Sequence, residues 1–114
     1  MQVMIKLAIL LTRRKGMTHQ EFVNYRRDIH VPLLLSIPET KQYVRKFVVS
    51  VPVPATGYPN PAYDTMIETW FDSVDDMNAF FLSDNFKKKV DPDHSNFLDI
   101  PAAVWLVTEE TVVI

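Results

Sequence analysis

The amino-acid sequence predicts an α+β domain built on a four-stranded antiparallel sheet. The main observation is the order of the predicted elements: strand, helix, strand, strand, helix, strand, so that each half of the chain opens with a strand that runs into a helix. The second is composition. With 114 residues, 47% of them hydrophobic and 23% charged, the chain is typical of one globular domain with a single core. We therefore treat residues 1–114 as a single domain.

The first predicted strand covers residues 2–12. Its apolar residues alternate at Val3, Ile5, Leu7, Ile9 and Leu11. The intervening positions Met4, Ala8 and Leu10 make its second face largely apolar too, and a strand of this kind must be covered on both faces. The same run is too short to cross a membrane, and no small-residue cleavage site follows it.

A capping box predicts where the first helix begins. The hydroxyl of Thr18 can accept from an early backbone amide while Glu21 reaches back, and the helix is expected over residues 19–30 or slightly beyond. One face of this helix carries the residues Phe22, Tyr25, Arg26, Ile29 and Leu33, spaced by three and four.

The middle of the chain predicts two strands separated by a loop. The second strand is expected over residues 41–53, and the segment 52–63, with four prolines and a glycine, is expected to be irregular. The third strand, residues 64–72, alternates in both directions. One side carries Thr65, Ile67, Thr69 and Phe71, and the other carries Met66, Glu68 and Trp70.

The last part of the chain predicts a second helix and a fourth strand. Ser73 caps the helix, and Asp75 and Asp76 lie in its first turn, where the helix dipole favours acids. Residues 91–97 form a polar turn with a short helical piece on either side, and the last strand is expected over residues 103–113.

Together these elements predict a ferredoxin-like arrangement in which both helices lie on one face of the sheet. The first, second and fourth strands are nevertheless apolar on both faces. The simplest cover for the open face is the same face of a second copy. The sequence therefore predicts a homodimer whose two sheets close into a barrel.

Three stretches of the chain carry a resemblance to a known family. They are MIKLAILLTRRKGMTHQEFVNYRRDIHVPLL, ETWFDSVDDMNAFF and DHSNFLDIPAAVWLVTEE. The chain resembles the EthD family from Met4 to Glu110, most specifically at the His-x-Pro of His30-Val31-Pro32. The resemblance implies a dimeric α+β barrel. It implies no single reaction, because relatives include polyketide decarboxylases and dehydratases, a lactone methylisomerase and accessory proteins of degradation operons. The methylisomerases rely on a thiol in the third strand, where this chain has Thr69.

His30 is the principal candidate for catalysis. It lies at the edge of the buried helical stripe, and Pro32 removes the backbone hydrogen bond to the carbonyl of Asp28 and biases Val31 away from helix. A ligand can then approach the ring, and a neutral imidazole can give or take a proton. The alternative is a histidine that bonds its own backbone at a helix end. The family's His-x-Pro in this place favours the functional interpretation.

Two further residues are candidates for assisting His30. His94 lies in the polar turn, where Asp91 or Asp93 could orient it, and the alternative is an exposed loop histidine. Glu68 is either an acid or base that lines the barrel or half of a structural ion pair. Its possible partners are Arg45, Lys6 and Arg26.

The candidate substrate-binding residues are Tyr25, Arg26, Tyr43, Trp70 and Phe97. Trp70 is either a core residue or a flat wall for an aromatic substrate. The tyrosine hydroxyls could meet a substrate oxygen.

Several classes of site are excluded by composition. The chain has no cysteine, which excludes disulfides and thiolate metal sites and suits the cytoplasm. The histidines lack metal-ligand spacing. With two glycines there is no phosphate loop, and no nucleophile elbow is present. A net charge of −2 gives no reason to expect nucleic acid as a partner.

These observations predict a cofactor-independent enzyme that performs proton-transfer chemistry on a small, apolar, oxygenated molecule of polyketide or aromatic type. The expected reactions are dehydration, decarboxylation, isomerisation and cyclisation. The alternative is a non-catalytic binding or accessory protein that uses the same cavity. An enzyme should enclose a polar spot around His30 inside an apolar pocket. In an accessory protein, neighbouring side chains should occupy the space around His30, or His30 should be fully exposed.

Overall fold

The computed structural model describes residues 4–114. The strands are β1 (Ile5–Leu11), β2 (Val44–Ser50), β3 (Thr65–Phe71) and β4 (Val104–Glu109). The helices are α1 (His19–Tyr25), α2 (Val31–Ser36), α3 (Pro38–Tyr43) and α4 (Val74–Phe81). π-helical turns cover Arg26–His30 and Phe86–Val90, and 3-10 helices cover Asp91–Asn96 and Ile100–Ala102.

The four strands form one antiparallel sheet in the order β2-β3-β1-β4. This is the order expected when two strand–helix–strand units fold together, and it confirms the predicted α+β, ferredoxin-like fold class. Of the first predicted strand, Gln2 and Val3 lie outside the described residues. No helix within residues 4–114 is long and apolar enough to cross a membrane.

The core lies between the sheet and the helices. Leu7, Ile9 and Leu11 of β1 point into it and are buried, and so are Phe22 of α1 and Phe80 of α4. Burying side chains of this size contributes roughly 1.5–3 kcal/mol each. The buried residues on β1 alternate, as the sequence predicts, because successive side chains of a strand point to opposite faces.

The opposite face of the sheet is less well covered. It carries Ala8, whose antiparallel neighbour Leu106 is 57% exposed. Val104, on the same face of β4, is also exposed. Strand β4 lies at the edge of the sheet, and Trp105 and Val107 on its opposite face, the helix side, are exposed too.

The structure corrects the bounds of two predicted strands. The second begins at Val44 and not at residue 41, because Pro38 starts the helix α3, which runs to Tyr43. The last strand ends at Glu109 and not at residue 113. The proline-rich segment is irregular and almost entirely exposed, as predicted.

Candidate active site around His30 and Asp93

His30 closes a π-helical turn that joins α1 to α2. The N–H of Val31 donates to the carbonyl of Arg26, five residues back. Pro32 has no N–H to offer Asp28, and its ring needs room beside that carbonyl. The widened turn supplies this room, and single π-helical turns often occur at functional sites.

A second π-helical turn lies on the other side of the site. Here the N–H of Asp91 donates to the carbonyl of Phe86, and Pro92 follows at once. The 3-10 helix that starts at Asp91 then carries Asp93 and His94. Both sides of the site are therefore held by a widened turn followed by one residue and a proline.

The central feature of the site is the pair formed by His30 and Asp93. Nδ1 of His30 lies 3.0 Å from Oδ2 of Asp93. The other carboxylate oxygen, Oδ1, accepts from the hydroxyl of Tyr25 at 2.5 Å and from the amide of Asn96 at 3.0 Å. Both partners of the pair are largely buried, with side-chain exposures of 12% and 9%.

The pKa of each partner indicates its protonation state. Burial raises the pKa of Asp93, but hydrogen bonds from Tyr25, Asn96 and His30 outweigh burial and hold it below its usual value. Burial, aided by the nearby His94, lowers the pKa of His30 in spite of Asp93. At neutral pH, Asp93 is therefore a carboxylate and His30 is a neutral imidazole.

This arrangement fixes the tautomer of His30. An ionised carboxylate can only accept hydrogen bonds, so Nδ1 must carry the ring proton and Nε2 keeps its lone pair. Nε2 has no hydrogen-bond partner among residues 4–114. No side-chain nitrogen or oxygen in that range is both buried and unpartnered, so Nε2 must retain access to open space.

His30 lines a cavity of about 80 Å³ between the sheet and the helices. Its polar lining consists of Arg26, His30, Thr69 and His94. The rest of its lining is apolar and is contributed by Ile9, Leu11, Val31, Leu34, Val44, Phe47, Ile67, Phe80, Phe81, Phe86, Phe97, Leu98 and Trp105.

His94 lies beside His30 at the boundary of a second cavity. The two ring centroids are 4.7 Å apart, and Nδ1 of His94 lies 3.1 Å from Oδ1 of Asp91. His94 also lines the second cavity, which has a volume of about 420 Å³ and is bordered by Lys87 and Ile100. The two histidines thus each have their own aspartate.

The structure brings some of the predicted substrate-binding residues to the site. Tyr25 bonds Asp93 and stacks on Phe97, with 5.1 Å between ring centroids. Phe97 in turn packs against His30 at 4.8 Å. Arg26 lines the cavity, and burial lowers the pKa of its guanidinium.

Glu68 and Trp70 lie on the face of the sheet opposite the helices, so neither lies beside His30 within this chain. Oε2 of Glu68 lies 3.1 Å from Nζ of Lys6, which is the ion-pair alternative. The ring centroid of Trp70 lies 4.7 Å from Nζ of Lys46, and its indole N–H donates to Oε2 of Glu110. Both follow the alternation of β3, in which Ile67 and Thr69 take the helix face. Tyr43, at the end of α3, packs on the core and does not line the cavity.

Sequence reasoning did not find the role of Asp93. The sequence offered Asp91 or Asp93 as the partner of His94. Asp91 is that partner, and Asp93 binds His30 instead. The available signal was the repeated proline: Pro32 and Pro92 each follow the widened turn that positions half of the pair. Among the described residues, no group of three or more His, Asp or Glu side chains is arranged to hold a metal ion.

Fold and site together define a ferredoxin-like α+β domain with a histidine–aspartate pair beside an apolar cavity. Residues 14–101 match the EthD domain, and the chain belongs to the EthD family. No curated protein matches it in sequence.

Solved structures of similar fold come from several organisms. An EthD family protein from Bacillus halodurans is 21% identical, with a TM-score of 0.74 over 95% of this chain and 99% of its own. A hydroxynitrile lyase from Passiflora edulis is 13% identical, with a TM-score of 0.73 over 100% and 99%. A dimeric ferredoxin-like protein from Bacteroides fragilis is 14% identical, with a TM-score of 0.68 over 94% and 96%.

Proposed function

We propose that this protein is a cofactor-independent enzyme that catalyses proton transfer on a small, largely apolar, oxygenated molecule. The observation that carries the proposal is the state of His30. Its Nδ1 is held by an ionised Asp93 and its Nε2 is free beside an apolar cavity. A neutral imidazole with one nitrogen fixed and the other free is suited to act as a general base.

In the proposed reaction, Nε2 of His30 accepts a proton from a carbon next to a carbonyl group of the substrate. The electron pair of the broken C–H bond moves onto the carbonyl oxygen, and Asp93 stabilises the imidazolium that forms. The imidazolium then returns the proton at the same or another position. Return at another carbon gives isomerisation, and protonation of a leaving hydroxyl gives dehydration. In decarboxylation, the C–C bond to a carboxylate breaks, CO₂ leaves, and the electron pair forms the enolate, which takes a proton from solvent through His30. In cyclisation, the enolate carbon attacks a second carbonyl carbon, and the imidazolium protonates the oxygen of that carbonyl.

His94 is the proposed second acid/base group. Its ring lies beside that of His30, and it lines both cavities, so that it can reach a second position of a bound molecule. Asp91 orients it as Asp93 orients His30. Tyr25 positions Asp93, and Phe97 supplies an aromatic wall against the substrate.

The alternative is a binding or accessory protein that uses the same cavity. Such a protein has no need for a histidine whose tautomer is fixed and whose free nitrogen faces an apolar space. The polar residues around His30 in an otherwise apolar cavity support the proposal of an enzyme. The hydroxynitrile lyase of similar fold is consistent with catalysis on this fold.

We also propose that the protein is a homodimer. The sheet face opposite the helices carries exposed apolar residues such as Val104 and Leu106, which a second copy of the same face would cover. Structural neighbours from Bacteroides fragilis and Thermobifida fusca are described as dimeric.

Hydrogen–deuterium exchange on carbon tests the catalytic proposal. A panel of enolisable bicyclic ketones that includes 2-tetralone would be incubated in D₂O, and deuterium incorporation followed by NMR. We expect the protein to accelerate exchange of at least one compound, and His30→Gln to lose on the order of 10²- to 10⁴-fold of that acceleration. His19→Gln, in a histidine outside the cavity, is the matched control. Compounds that bind without accelerated exchange would support the binding-protein alternative.

A further inference from the structure

We propose that the cavity at His30 takes an organic anion: a hydrophobic, ring-containing carboxylate whose charged group binds Arg26. This inference deepens the proposed function by naming the substrate class. It rests on that function only for the role of His30.

Arg26 has no acidic partner among the described residues, unlike three other arginines. Arg13, Arg27 and Arg45 each pair with an aspartate at 2.8–3.0 Å. In the described part of the chain, Arg26 forms no ion pair, and its polar contact is a long one of 3.5 Å between Nη1 and the hydroxyl oxygen of Thr65. That hydroxyl already donates to the carbonyl of Ser50, at 2.9 Å.

The unpaired guanidinium of Arg26 is half-buried, and burial lowers its pKa. Partial removal of a cation from water is unfavourable unless a counter-charge and hydrogen bonds compensate it. No acidic residue among those described lines the first cavity, since Asp93 lies behind His30 and is engaged there. The second cavity is lined by Lys87 and by Asp91, whose opposite charges balance each other. The first cavity thus carries the positive charge of Arg26 and has no acidic residue among the described residues that line it.

The geometry of a guanidinium favours a carboxylate as the counter-charge. The planar fork of N–H donors matches the two oxygens of a carboxylate, and such pairs are strong when water is excluded. Six aromatic side chains form much of the surrounding wall, which suits a ring as the body of the ligand. They are Phe47, Phe80, Phe81, Phe86, Phe97 and Trp105.

The positions of Arg26 and His30 relate the charged group to the reacting one. They are the first and last residues of one π-helical turn, and both line the same cavity. Side chains four residues apart on a helix are neighbours. A carboxylate on Arg26 therefore places the adjacent carbon atoms of the ligand beside His30. The two cavities are adjacent, with His94 and Trp105 in the lining of both, and we expect the ring to lie at this boundary.

Calorimetric titration with 2-naphthoate and with its neutral analogue 2-naphthamide tests this inference. The two compounds have the same ring and similar shape and differ in charge. We expect the wild-type protein to bind the carboxylate at least about tenfold tighter than the amide, as a charge-assisted bidentate contact should provide. Arg26→Gln should abolish this preference, and Arg26→Lys should retain part of it. Arg45→Gln, in an arginine paired on the surface, should leave it unchanged.

Equal binding of the two compounds by the wild-type protein would overturn the inference, and so would a preference that survives in Arg26→Gln. If neither compound binds, the smaller pair benzoate and benzamide replaces them, and absence of binding there too would overturn it. Thermal melts show that each variant is folded. The titration of His30→Gln separates this inference from the proposed function. A carboxylate preference retained in that variant supports the anion site even if His30→Gln exchanges deuterium as fast as the wild type.

Discussion

Oδ2 of Asp93 lies 3.0 Å from Nδ1 of His30, although the two residues are 63 positions apart in the chain. One residue belongs to the first half of the fold and the other to the second. His30 is the last residue of one π-helical turn, and Asp93 follows the other. A proline lies two residues after the end of each turn. Phe97, three residues after His94, packs on both Phe22 and His30. Phe97 thus joins the His30–Asp93 pair to the hydrophobic core.

The first prediction concerns the tautomer of His30. In Asp93→Asn, the amide can donate to Nδ1, which moves the ring proton to Nε2 and removes the free lone pair. We expect the exchange rate to fall on the order of 10²- to 10⁴-fold, as when the orienting carboxylate of a catalytic histidine is lost. Nitrogen NMR of the imidazole reports the tautomer directly. Asp72→Asn, in an aspartate that pairs with Arg45 outside the cavity, is the matched control. An unchanged rate in Asp93→Asn would contradict the mechanism.

The second prediction separates stability from catalysis with Tyr25→Phe. The hydroxyl of Tyr25 donates to Oδ1 of Asp93 at 2.5 Å, and hydrogen bonds to charged groups contribute about 1.5–3 kcal/mol. We expect the free energy of unfolding, measured with urea, to fall by about that amount. The rate should fall less than in Asp93→Asn, because Asp93 still holds Nδ1. A variant as stable as the wild type would show that this hydrogen bond is weak in solution.

The third prediction concerns His30→Ala. A position at the edge of the buried helical stripe favours little packing, but the His30 side chain is 12% exposed and lies against Phe97 and His94. We therefore expect a loss of about 1–3 kcal/mol of stability together with the loss of exchange activity. Activity must be measured at a temperature where the variant is folded. A folded His30→Ala protein with unchanged exchange would end the catalytic interpretation.

The fourth prediction concerns pH. Burial and His94 lower the pKa of His30 in the folded protein, so that the unfolded chain binds a proton more readily. Stability should therefore decrease as the pH falls below the ordinary histidine pKa of about 6.5. The reaction uses neutral His30, so the rate should be full at neutral pH and decrease on acidification. Removing the repulsion in His94→Gln should raise the pKa of His30 and move the acid limb of the rate profile to higher pH.

The groups that face His30 are Asp93, Tyr25 and His94, with Arg26 on the same cavity. Among these, His94 is the second imidazole. The profile of His94→Gln is therefore compared with that of His19→Gln. An acid limb that stays in place in His94→Gln would contradict the assigned cause of the shift.

The sequence predicted the fold because local signals agree with it. The alternation of β1 and β3 and the caps at Thr18 and Ser73 depend on nearby residues, and the structure has both caps. The sequence also singled out His30, because Pro32 marks the turn. It did not identify Asp93 as the partner of His30, since that contact depends on how two distant π-helical turns pack. Nor did it decide which face Glu68 takes relative to His30, because an alternating strand shows two faces without saying which one meets the helices.

The fifth prediction concerns Glu68, which the structure pairs with Lys6 at 3.1 Å on the opposite face of the sheet from His30. We expect Glu68→Gln to leave the exchange rate within about twofold of the wild type. Its stability should change by no more than about 1 kcal/mol, because partly exposed ion pairs contribute little. A large loss of rate would mean that Glu68 takes part in the reaction. Glu68 would then have to act on a site that it reaches through the sheet or in a second copy of the chain.

The last prediction tests the dimer through the exposed sheet face. Leu106 neighbours Ala8 on β1 and is 57% exposed in the single chain. If a second copy covers this face, Leu106→Glu places a charge without a partner in a dry interface, which opposes association. Light scattering should give about twice the 13.2 kDa of one chain for the wild-type protein and the single-chain mass for this variant. Leu35→Glu, at a 60% exposed position on α2, should keep the wild-type mass. A wild-type protein that is monomeric at micromolar concentration would exclude the dimer, and a dimeric Leu106→Glu would place the interface elsewhere.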